Sequence, residues 1–403
     1  MPDTTSTPDA PSRADPRPSP SDEVTHRPRG LSCFPDVRVF PGAARPVRAD
    51  YGRDMRGLLV VNPVATTTTE RVRDVLASAL AADLALETVV TKGRGHGMEL
   101  GARAVELGVD VVIALGGDGT VNEIVNGLLQ NGPIPDGPAF AVVPGGSTNV
   151  FVRALGYSAS PVEATGELLD ALRAGRSRRI SLGQAAWGEE RRWFSFCFGV
   201  GLDARVVDRV ERKRSRGRRN TPGLFLRAAA AQLSGRADRG APTIELETTD
   251  AHTPGDPAAI GVTPGPESDP AGVRAQTEAP GGAAGEGAGD DERRIALGIV
   301  CNTRPWTYLD SRPVLACPDA SFDTGLDLVA LRRVRLSSVL RAGSQMLGDG
   351  EGPRGGNVVR HHDAATIRFR CADPLPIQMD GEYLGESPEI LLSHHPHALR
   401  VIA

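Results

Sequence analysis

The amino-acid sequence predicts an α/β domain with a doubly wound sheet, followed by an all-β domain of the sandwich type. Between residues 55 and 180, strand patterns alternate with amphipathic helix patterns, and repeated βα units favour a mostly parallel sheet. After residue 181, strand patterns dominate and long helix patterns are few, which is typical of a β-sandwich. Residues 1–54 and 249–293 are rich in proline, glycine and polar residues, and bury too little apolar surface to offset the entropy of ordering. We therefore expect a disordered tail at 1–54, an α/β domain at 55–180 and a β-sandwich domain at 181–403 with a disordered insert at 249–293.

The elements of the α/β domain follow from hydrophobic periodicity. Continuous runs of Val, Ile and Leu indicate strands that are covered on both faces. Apolar residues spaced three and four apart indicate helices. The predicted strands are 57–61, 86–90, 110–115 and 139–143, and the predicted helices are 70–84, 96–108, 121–130, 148–155 and 161–174.

The second domain is predicted from shorter apolar runs. The predicted strands are 193–198, 243–246, 295–300, 325–331, 365–369 and 375–379, and the predicted helices are 204–214, 224–233 and 336–347. The insert 249–293 falls between two of these strands, so we interpret it as a long loop at the end of a hairpin.

Composition excludes several classes of protein. Hydrophobic residues make up 40% of the chain, as in globular proteins, and no apolar run approaches the ~18–20 residues of a membrane span. The five cysteines are scattered, no C-x-x-C pair occurs, and the N-terminus lacks the apolar core of a secretory signal. These features predict a reduced, cytoplasmic protein without a zinc site of the usual spacing. The net charge of −4 argues against nucleic acid as a partner.

The strongest motif is the glycine-rich turn Gly116-Gly117-Asp118-Gly119-Thr120, which follows a buried strand and precedes a helix. Adjacent glycines let backbone N–H groups approach a phosphate, and the N-terminus of a helix adds positive potential. Asp118 can hold Mg²⁺ directly or through water. A plain strand-to-helix turn is the structural alternative, but such a turn rarely needs three glycines together with an Asp and a Thr.

A second glycine-rich turn, Pro144-Gly145-Gly146-Ser147-Thr148-Asn149, also lies between a strand and a helix. Alone it is a weak signal, because a Pro-Gly turn followed by a helix cap is common. In a doubly wound sheet, however, two such turns at strand carboxyl ends border one crevice. Asn62-Pro63 follows the first strand and Thr91 follows the second, so both are expected at the same edge.

A third motif is Asp380-Gly381-Glu382, in which two carboxylates flank a glycine after a predicted strand. One carboxylate could act as a general base on a hydroxyl if it reaches the crevice. An Asp-Gly hairpin turn with a solvated Glu is the structural alternative.

These motifs, in this order, resemble the diacylglycerol kinase catalytic-domain family, in the branch of bacterial lipid kinases that is also similar to sphingosine and ceramide kinases. The resemblance covers residues 55–403 outside the insert and includes the stretches 199–204 and 322–326. The Gly-Gly-Asp-Gly-Thr motif alone is shared with NAD kinases and, in variant form, with phosphofructokinases. The resemblance implies an NAD kinase/diacylglycerol kinase-like fold, with ATP on the α/β domain, lipid on the β-sandwich domain, and a C-terminal segment that returns to the first domain.

The resemblance also implies the roles of individual residues. Glu382 corresponds to the proton acceptor, with Asp380 beside it, and Mg²⁺ accompanies the nucleotide near Asp118. The positions that correspond to ATP contacts are Asn62, Pro63, Thr66, Thr91, Gly116, Gly117, Asp118, Gly119, Thr120, Asn122, Glu123, Gly146 and Ser147.

Three positions depart from the common pattern of the family, in which acids stand where this chain has Val150, Ser181 and Thr324. The last of these belongs to a loop that often holds a structural Mg²⁺. Here Ser321 and Leu326 can offer backbone carbonyls beside Thr324, but the second carboxylate is missing. These departures weaken the structural metal site more than the Mg²⁺ that travels with ATP.

The predicted function is transfer of the γ-phosphoryl group of ATP to a lipid hydroxyl, with diacylglycerol as substrate and phosphatidic acid as product. The alternatives are a kinase of sphingosine-like or other lipid alcohols, an NAD kinase-like enzyme, and a non-catalytic regulator that binds nucleotide or lipid. Eight basic residues at 205–219 suggest peripheral contact with an anionic membrane at its inner face, and a solvated helix end is the simpler reading. The sequence leaves the oligomeric state open, with a dimer as one alternative.

Overall fold

The computed structural model describes residues 55–65, 68–201, 204, 243–251, 294–309 and 311–403. All of them lie in the unit Asp36–Ala403. The predicted tail, the basic segment 205–219, Thr66 and most of the insert therefore lie outside the described residues. The helix predicted at 224–233 also lies outside them, as does the helix predicted at 204–214 except for Ala204.

The α/β part is built as the periodicity predicted. Its elements are β1 (Arg56–Val61), α1 (Glu70–Ala81), β2 (Ala85–Val90), α2 (His96–Leu107), β3 (Val111–Gly116), α3 (Asp118–Leu128), β4 (Ala139–Pro144), α4 (Val150–Ala154) and α5 (Pro161–Arg173). The four strands are parallel in the order β2-β1-β3-β4. Val111 and Ile113 of β3 pack into one core with side chains of α1 and α5. Val112 between them is equally buried on the opposite face, because successive side chains of a strand alternate.

On that opposite face, α2 and α3 approach each other closely because two glycines leave room for backbone contact. A Cβ on Gly101 would lie 2.5 Å from the carbonyl oxygen of Ile124, and a Cβ on Gly127 would lie 2.1 Å from that of Met98. The first turn of α3 also begins earlier than predicted, at Asp118. Part of the glycine-rich motif is therefore helix, and this places the Asp118 side chain at the helix N-terminus.

The second part adds eleven strands and one helix among the described residues. They are β5 (Arg178–Trp187), β6 (Glu190–Phe194), β7 (Cys197–Gly201), β8 (Ile244–Asp250), β9 (Arg294–Ile295), β10 (Leu297–Cys301), β11 (Thr307–Leu309), β12 (Arg312–Val314), β13 (Leu326–Leu331), α6 (Leu336–Met346), β14 (Val358–Met379) and β15 (Glu382–Val401). Phe194, Phe198 and Phe369 are fully buried in the core of these strands.

The two parts share one hydrogen-bonded sheet, in the order β13-β10-β7-β14-β15-β4-β3-β1-β2. The join is made where Val401 of β15 pairs in parallel with Phe140 of β4. The predicted class, α/β plus β, is confirmed, and strands of the β part extend the hydrogen-bonded sheet of the α/β part. The C-terminal strand thus returns to the α/β part.

The sequence analysis did not predict strands β5, β11, β12 and β15, and several predicted strands have other bounds in the structure. The predicted strand 193–198 is two strands, broken at Ser195 and Phe196. The predicted strands 365–369 and 375–379 belong to one long strand, β14, whose register shifts between Arg370 and Leu375. Strand β8 extends to Asp250, two residues into the predicted insert. Within the described part of the chain, no helix is long and apolar enough to cross a membrane.

Candidate active site

The loops that follow β1, β2, β3 and β4 meet at one edge of the sheet. Asn62 N donates to the carbonyl oxygen of Leu115 (2.9 Å), and Gly145 N donates to that of Gly116 (2.8 Å). Thr91, buried at the end of β2, donates from its backbone to Val61 O (2.8 Å). The carboxyl ends of parallel strands lie at the same edge, which explains why these motifs come together.

The two glycine-rich turns pack backbone against backbone. A Cβ on Gly146 would lie 2.7 Å from Gly117 Cα, and a Cβ on Gly145 would lie 3.0 Å from Gly116 Cα. Any side chain at these positions would force the turns apart. The glycines at 117, 145 and 146 are therefore required for contact between the loops.

The second turn is closed by Asn149, a residue that the sequence analysis did not single out. Gly146 N donates to Asn149 Oδ1 (2.9 Å), and Asn149 Nδ2 donates back to Gly146 O (2.8 Å). Asn149 has φ 51°, in the left-handed region that asparagine tolerates better than most residues. The closed turn leaves Ser147 exposed.

The first turn is held to the loop after β1. Asn62 Nδ2 donates to Thr120 Oγ1 (2.9 Å), and Asn62 Oδ1 accepts from Val64 N (3.0 Å). A Cβ on Gly116 would lie 2.7 Å from Thr120 Oγ1. Pro63 and Val64 are exposed beside this contact, so the loop presents its tip to solvent.

The N-terminal turn of α3 is open at Gly119. Among the described residues, no atom outside the helix's own backbone lies within 4 Å of a Cβ built on Gly119, and the N-cap residue makes no side-chain cap. The free N–H groups of an uncapped helix turn attract anionic oxygen atoms. The first turn of α3 borders open space on one side, and the glycine-rich turns pack tightly on the other. This arrangement fits the phosphates of a nucleotide.

Asp118 lies at the start of α3 and accepts a hydrogen bond at Oδ1 from Phe151 N (3.2 Å). Desolvation raises the pKa of Asp118 to about 6, and nearby Asp380 acts in the same direction. Backbone N–H groups around Phe151 oppose this shift. A bound cation would favour the ionised form, so the carboxyl suits a Mg²⁺ ion whose other ligands are phosphate oxygens.

Glu123, predicted as a contact of the nucleotide, makes a structural contact at the start of α2. Its two carboxylate oxygens accept from Gly95 N (2.8 Å) and Gly97 N (3.0 Å) at the start of α2. A Cβ on Gly97 would lie 2.7 Å from Glu123 Oε2. The Glu123 side chain therefore satisfies N–H groups that the N-terminus of α2 would otherwise leave open.

Asn122, also predicted as an ATP contact, faces the β part of the protein. Its Nδ2 donates to Asp380 Oδ2 (2.8 Å) and to Trp193 O (3.0 Å). One helical turn later, Asn126 accepts from Trp193 N (2.8 Å) and donates to Trp193 O (2.9 Å). The two asparagines thereby fasten α3 to the end of β6, a role that the sequence did not reveal.

Asp380 occupies the two-residue turn between β14 and β15, where Asp380 and Gly381 have φ of 48° and 82°. Besides Asn122, its carboxylate accepts from Ser195 N and Ser195 Oγ (both 2.8 Å), and from Phe196 N and Cys197 N (both 3.0 Å). Burial raises the pKa of Asp380, and these N–H donors oppose the shift. With five hydrogen bonds accepted, the carboxylate is engaged in holding the turn against the break between β6 and β7.

Glu382 follows this turn and is only partly buried. Its carboxylate pairs with Arg94 from the loop after β2 (2.6 Å) and lies 3.9 Å from Arg192 of β6. The Arg94 side chain is 68% exposed, whereas that of Glu382 is 23% exposed. The hairpin thus brings a carboxylate from the far end of the chain to the loops at the sheet edge.

The loop predicted for a structural Mg²⁺ is closed on itself. Ser321 O accepts from both the backbone and the hydroxyl of Thr324 (3.2 Å each). Leu326 is buried in β13, and Asp323 lies 3.8 Å from Arg178. Among the residues the structure describes, no three His, Cys, Asp or Glu side chains are grouped to hold a metal. These residues do not fit a structural metal site.

Sequence reasoning missed Arg94, Asn126, Arg192 and Ser195. A signal existed for Arg94, because Lys92-Gly93-Arg94-Gly95 is a basic, glycine-containing turn directly after Thr91 at the strand edge. Asn126, Arg192 and Ser195 had no such signal, since their partners are distant in the sequence.

Comparisons with known proteins show which chains this one is similar to. Residues 56–185 match the family model of the diacylglycerol kinase catalytic domain. Over 75 residues the chain is 45% identical to a diacylglycerol kinase of Bacillus subtilis (strain 168), which is 19% of this chain and 23% of that relative. Over 111 residues it is 32% identical to a diacylglycerol kinase of Staphylococcus saprophyticus, which is 28% of this chain and 34% of that relative. The matches thus span about a quarter to a third of the length of these relatives.

A solved structure of a diacylglycerol kinase from Bacillus anthracis str. Sterne has the same fold. It covers 86% of this chain and 96% of its own, with a TM-score of 0.55 at 18% sequence identity. The fold and the site together define a class of α/β protein with an additional β part. In this class, the glycine-rich turns of the α/β part lie near a hairpin of the β part that carries two acidic residues. Residues 56–185 are thus similar to the diacylglycerol kinase catalytic-domain family, the family that the sequence motifs resemble.

Proposed function

We propose that the protein is an ATP-dependent lipid kinase that transfers the γ-phosphoryl group to a primary hydroxyl of diacylglycerol, giving phosphatidic acid. The observation that carries this proposal is the position of Glu382. Asp380, two residues earlier, is bonded to α3 through Asn122, and Glu382 itself is paired with Arg94 beside the start of α2. A carboxylate from the β part is thereby held next to the open N-terminal turn of α3.

The glycine-rich turns would bind the phosphates of ATP. The N–H groups of the uncapped first turn of α3 and the exposed residue Ser147 would offer donors to phosphate oxygens. When bound with the nucleotide, Mg²⁺ supplies neutralisation of phosphate charge, and Asp118 is the residue that would hold it. Phosphoryl transfer depends mainly on positioning and electrostatics, so the tightly packed glycines contribute by fixing where these donors lie.

Glu382 would accept the proton of the lipid hydroxyl as the hydroxyl attacks the γ-phosphorus. Asp380 acts as a positioning residue, because its carboxylate is fully used in anchoring the turn that presents Glu382. Arg94 is mostly exposed on its loop, and an exposed guanidinium is free to exchange a carboxylate for phosphate oxygens. In this mechanism Arg94 orients Glu382 and then contributes positive charge near the transferred group.

The test replaces Glu382 by Gln and measures transfer of ³²P from ATP to diacylglycerol in mixed vesicles. We expect kcat to fall by at least about 100-fold, the usual loss when a general base is removed, with nucleotide affinity unchanged. Glu386→Gln is the matched control, because Glu386 is an exposed acid of the same strand. If Glu382→Gln keeps the wild-type kcat, another group accepts the proton and this mechanism is refuted.

A further inference from the structure

One surface lies outside the site described above and combines exposed leucines with unpaired arginines. It consists of Arg333, Arg335, Leu336, Leu340 and Arg341, at the start of α6 and just before it. We call it the α6 face. Residues 332–347 contain four arginines and no acid, although the whole chain has a net charge of −4.

The leucines of the α6 face point into solvent. Leu336 is 53% exposed and Leu340 is 57% exposed, and their spacing of four residues puts them on one side of the helix. Met346 is the one residue of α6 that is buried. A helix held to the fold by so little buried surface, with its leucines outward, presents an apolar stripe without a partner in the described structure.

The arginines of the α6 face are likewise available. No carboxylate of the described residues pairs with the side chains of Arg333, Arg335 or Arg341, and all three are exposed. The acids that follow the helix, Asp349 and Glu351, are both occupied by Arg354, at 2.7 and 2.6 Å. The positive charge of the α6 face is therefore not cancelled by its neighbours.

Helix stability does not explain this arrangement. The N-terminus of a helix favours acids and disfavours cations. Here Arg335 is the N-cap residue without a side-chain cap, the first turn has no acid, and Arg333 precedes it. Arg333 and Arg335 place positive charge at the N-terminus of α6, where it lowers the stability of the helix. This arrangement favours a role in contact with an external anionic partner.

The α6 face is connected to the site through the β11–β12 hairpin. Leu315 N, just after β12, donates to Met346 O at the end of α6 (2.9 Å). On the other side of the hairpin, the guanidinium of Arg153 lies 3.2 Å from the centre of the Tyr308 ring. Arg153 belongs to α4, which directly follows the second glycine-rich turn.

We propose that the α6 face docks on an anionic lipid bilayer, with Leu336 and Leu340 entering the interface and the three arginines contacting lipid phosphates. Basic residues close in sequence to exposed apolar side chains are the combination that binds a bilayer surface, since charge attracts the segment and burial of the apolar side chains retains it. The choice of a bilayer over another anionic partner rests on the proposed lipid kinase function.

The test measures binding of the full chain to vesicles by co-sedimentation. Vesicles of phosphatidylglycerol and phosphatidylcholine are compared with vesicles of phosphatidylcholine alone, at low and high salt. The charge variant is Arg333→Gln/Arg335→Gln/Arg341→Gln, and the apolar variant is Leu336→Ser/Leu340→Ser. The matched control, Arg71→Gln/Arg103→Gln/Arg176→Gln, removes the same charge from other elements, and circular dichroism verifies that all variants fold.

We expect the charge variant to bind anionic vesicles at least about 10-fold more weakly and to lose the salt dependence, while the control binds like wild type. The apolar variant should bind weakly at every salt concentration. Wild-type binding by the charge variant would overturn the proposal. So would a wild-type dimer that the apolar variant converts to a monomer, because a second copy would then cover the α6 face.

The readout is independent of phosphoryl transfer. Vesicle binding without lipid phosphorylation would refute the proposed kinase function and leave the docking surface intact. Phosphorylation of lipid in detergent micelles by a chain that binds no vesicle would refute the docking surface alone.

Discussion

Replacing Asp380 by Asn tests whether its carboxylate holds the catalytic hairpin in place. Asparagine has the same shape and tolerates the left-handed backbone of this position, where φ is 48°. The substitution therefore removes the charge and one acceptor oxygen without adding backbone strain. If the amide oxygen keeps Phe196 N and Cys197 N as donors, the amide nitrogen faces Ser195 N and Asn122 Nδ2, which are donors as well.

The magnitude follows from these two orphaned donors. Each buried donor left without an acceptor costs about 1–3 kcal/mol, so the free energy of unfolding should fall by roughly 2–6 kcal/mol. This is a large part of the about 5–15 kcal/mol that stabilises a typical fold. The lost bonds also tie Asn122 of α3 to the turn before Glu382, so kcat should fall together with stability.

The assay is urea unfolding followed by circular dichroism. Asp373→Asn serves as the control, because Asp373 is an exposed acid of β14 and its loss changes the net charge equally. We expect the control to unfold within about 0.5 kcal/mol of wild type, as surface substitutions do. A loss below about 1 kcal/mol in Asp380→Asn would mean that the carboxylate does not anchor the turn.

Two further substitutions separate stability from function. Asp118→Asn should abolish Mg²⁺-dependent nucleotide binding and stabilise the ligand-free protein above pH 6 by up to about 3 kcal/mol, since one unit of pKa shift corresponds to about 1.4 kcal/mol. The native pKa of about 6 lies above the ordinary 3.8, so the stability linked to protonation of Asp118 is present below pH 3.8 and lost as pH rises through 6. Thermal unfolding from pH 4 to 8 should show that the gain in stability grows up to about pH 6 and then levels off, and a gain independent of pH between 4 and 6 would contradict the assigned shift. Gly119→Ala should raise helix stability by about 0.5–1 kcal/mol, since a Cβ there meets nothing within 4 Å, yet it should weaken ATP binding by filling the space assigned to phosphate. Calorimetry with ATP checks this, and unchanged affinity would move the phosphates elsewhere.

The α/β part was predictable because its signals are local. Strands such as β3 are buried on both faces and read as continuous apolar runs, and helices such as α2 end at glycine, where Gly108 has φ 60°. The glycine-rich turns likewise pointed to one sheet edge, because parallel strands place their carboxyl ends together.

The β part was less predictable because the bounds of its strands depend on pairing with residues that are distant in the sequence. Strand β15 contains His394, His395 and Pro396 and lacks the alternation of apolar and polar residues that is typical of a strand. It nevertheless pairs with β14, β5 and β4. The break after Phe194 has no local breaker residue. The break arises because the carboxylate of Asp380 accepts hydrogen bonds from the N–H groups of residues 195–197. Asp380 is 185 residues away from Ser195 in the sequence.

The candidate site also combines features that local sequence predicts with features that depend on distant residues. Glu382 and Asp380 were found from their motif, but their different roles depend on which carboxylate the fold engages. Asn122 is 258 residues from Asp380, so no pattern within a helix could reveal that it fastens the hairpin. Residues that join the two parts of a protein carry no periodic signal of their own.

The most direct measurement is the identity of the phosphate acceptor. The full chain would be incubated with γ-³²P-ATP and Mg²⁺ in the presence of diacylglycerol, sphingosine or NAD, and the labelled products would be separated by chromatography. We predict labelled phosphatidic acid, absent with Glu382→Gln. Label in sphingosine phosphate would keep the lipid kinase class and change the substrate, and label in NAD would contradict a lipid acceptor. ATP binding without any labelled acceptor would contradict catalysis itself and favour a regulator that binds nucleotide.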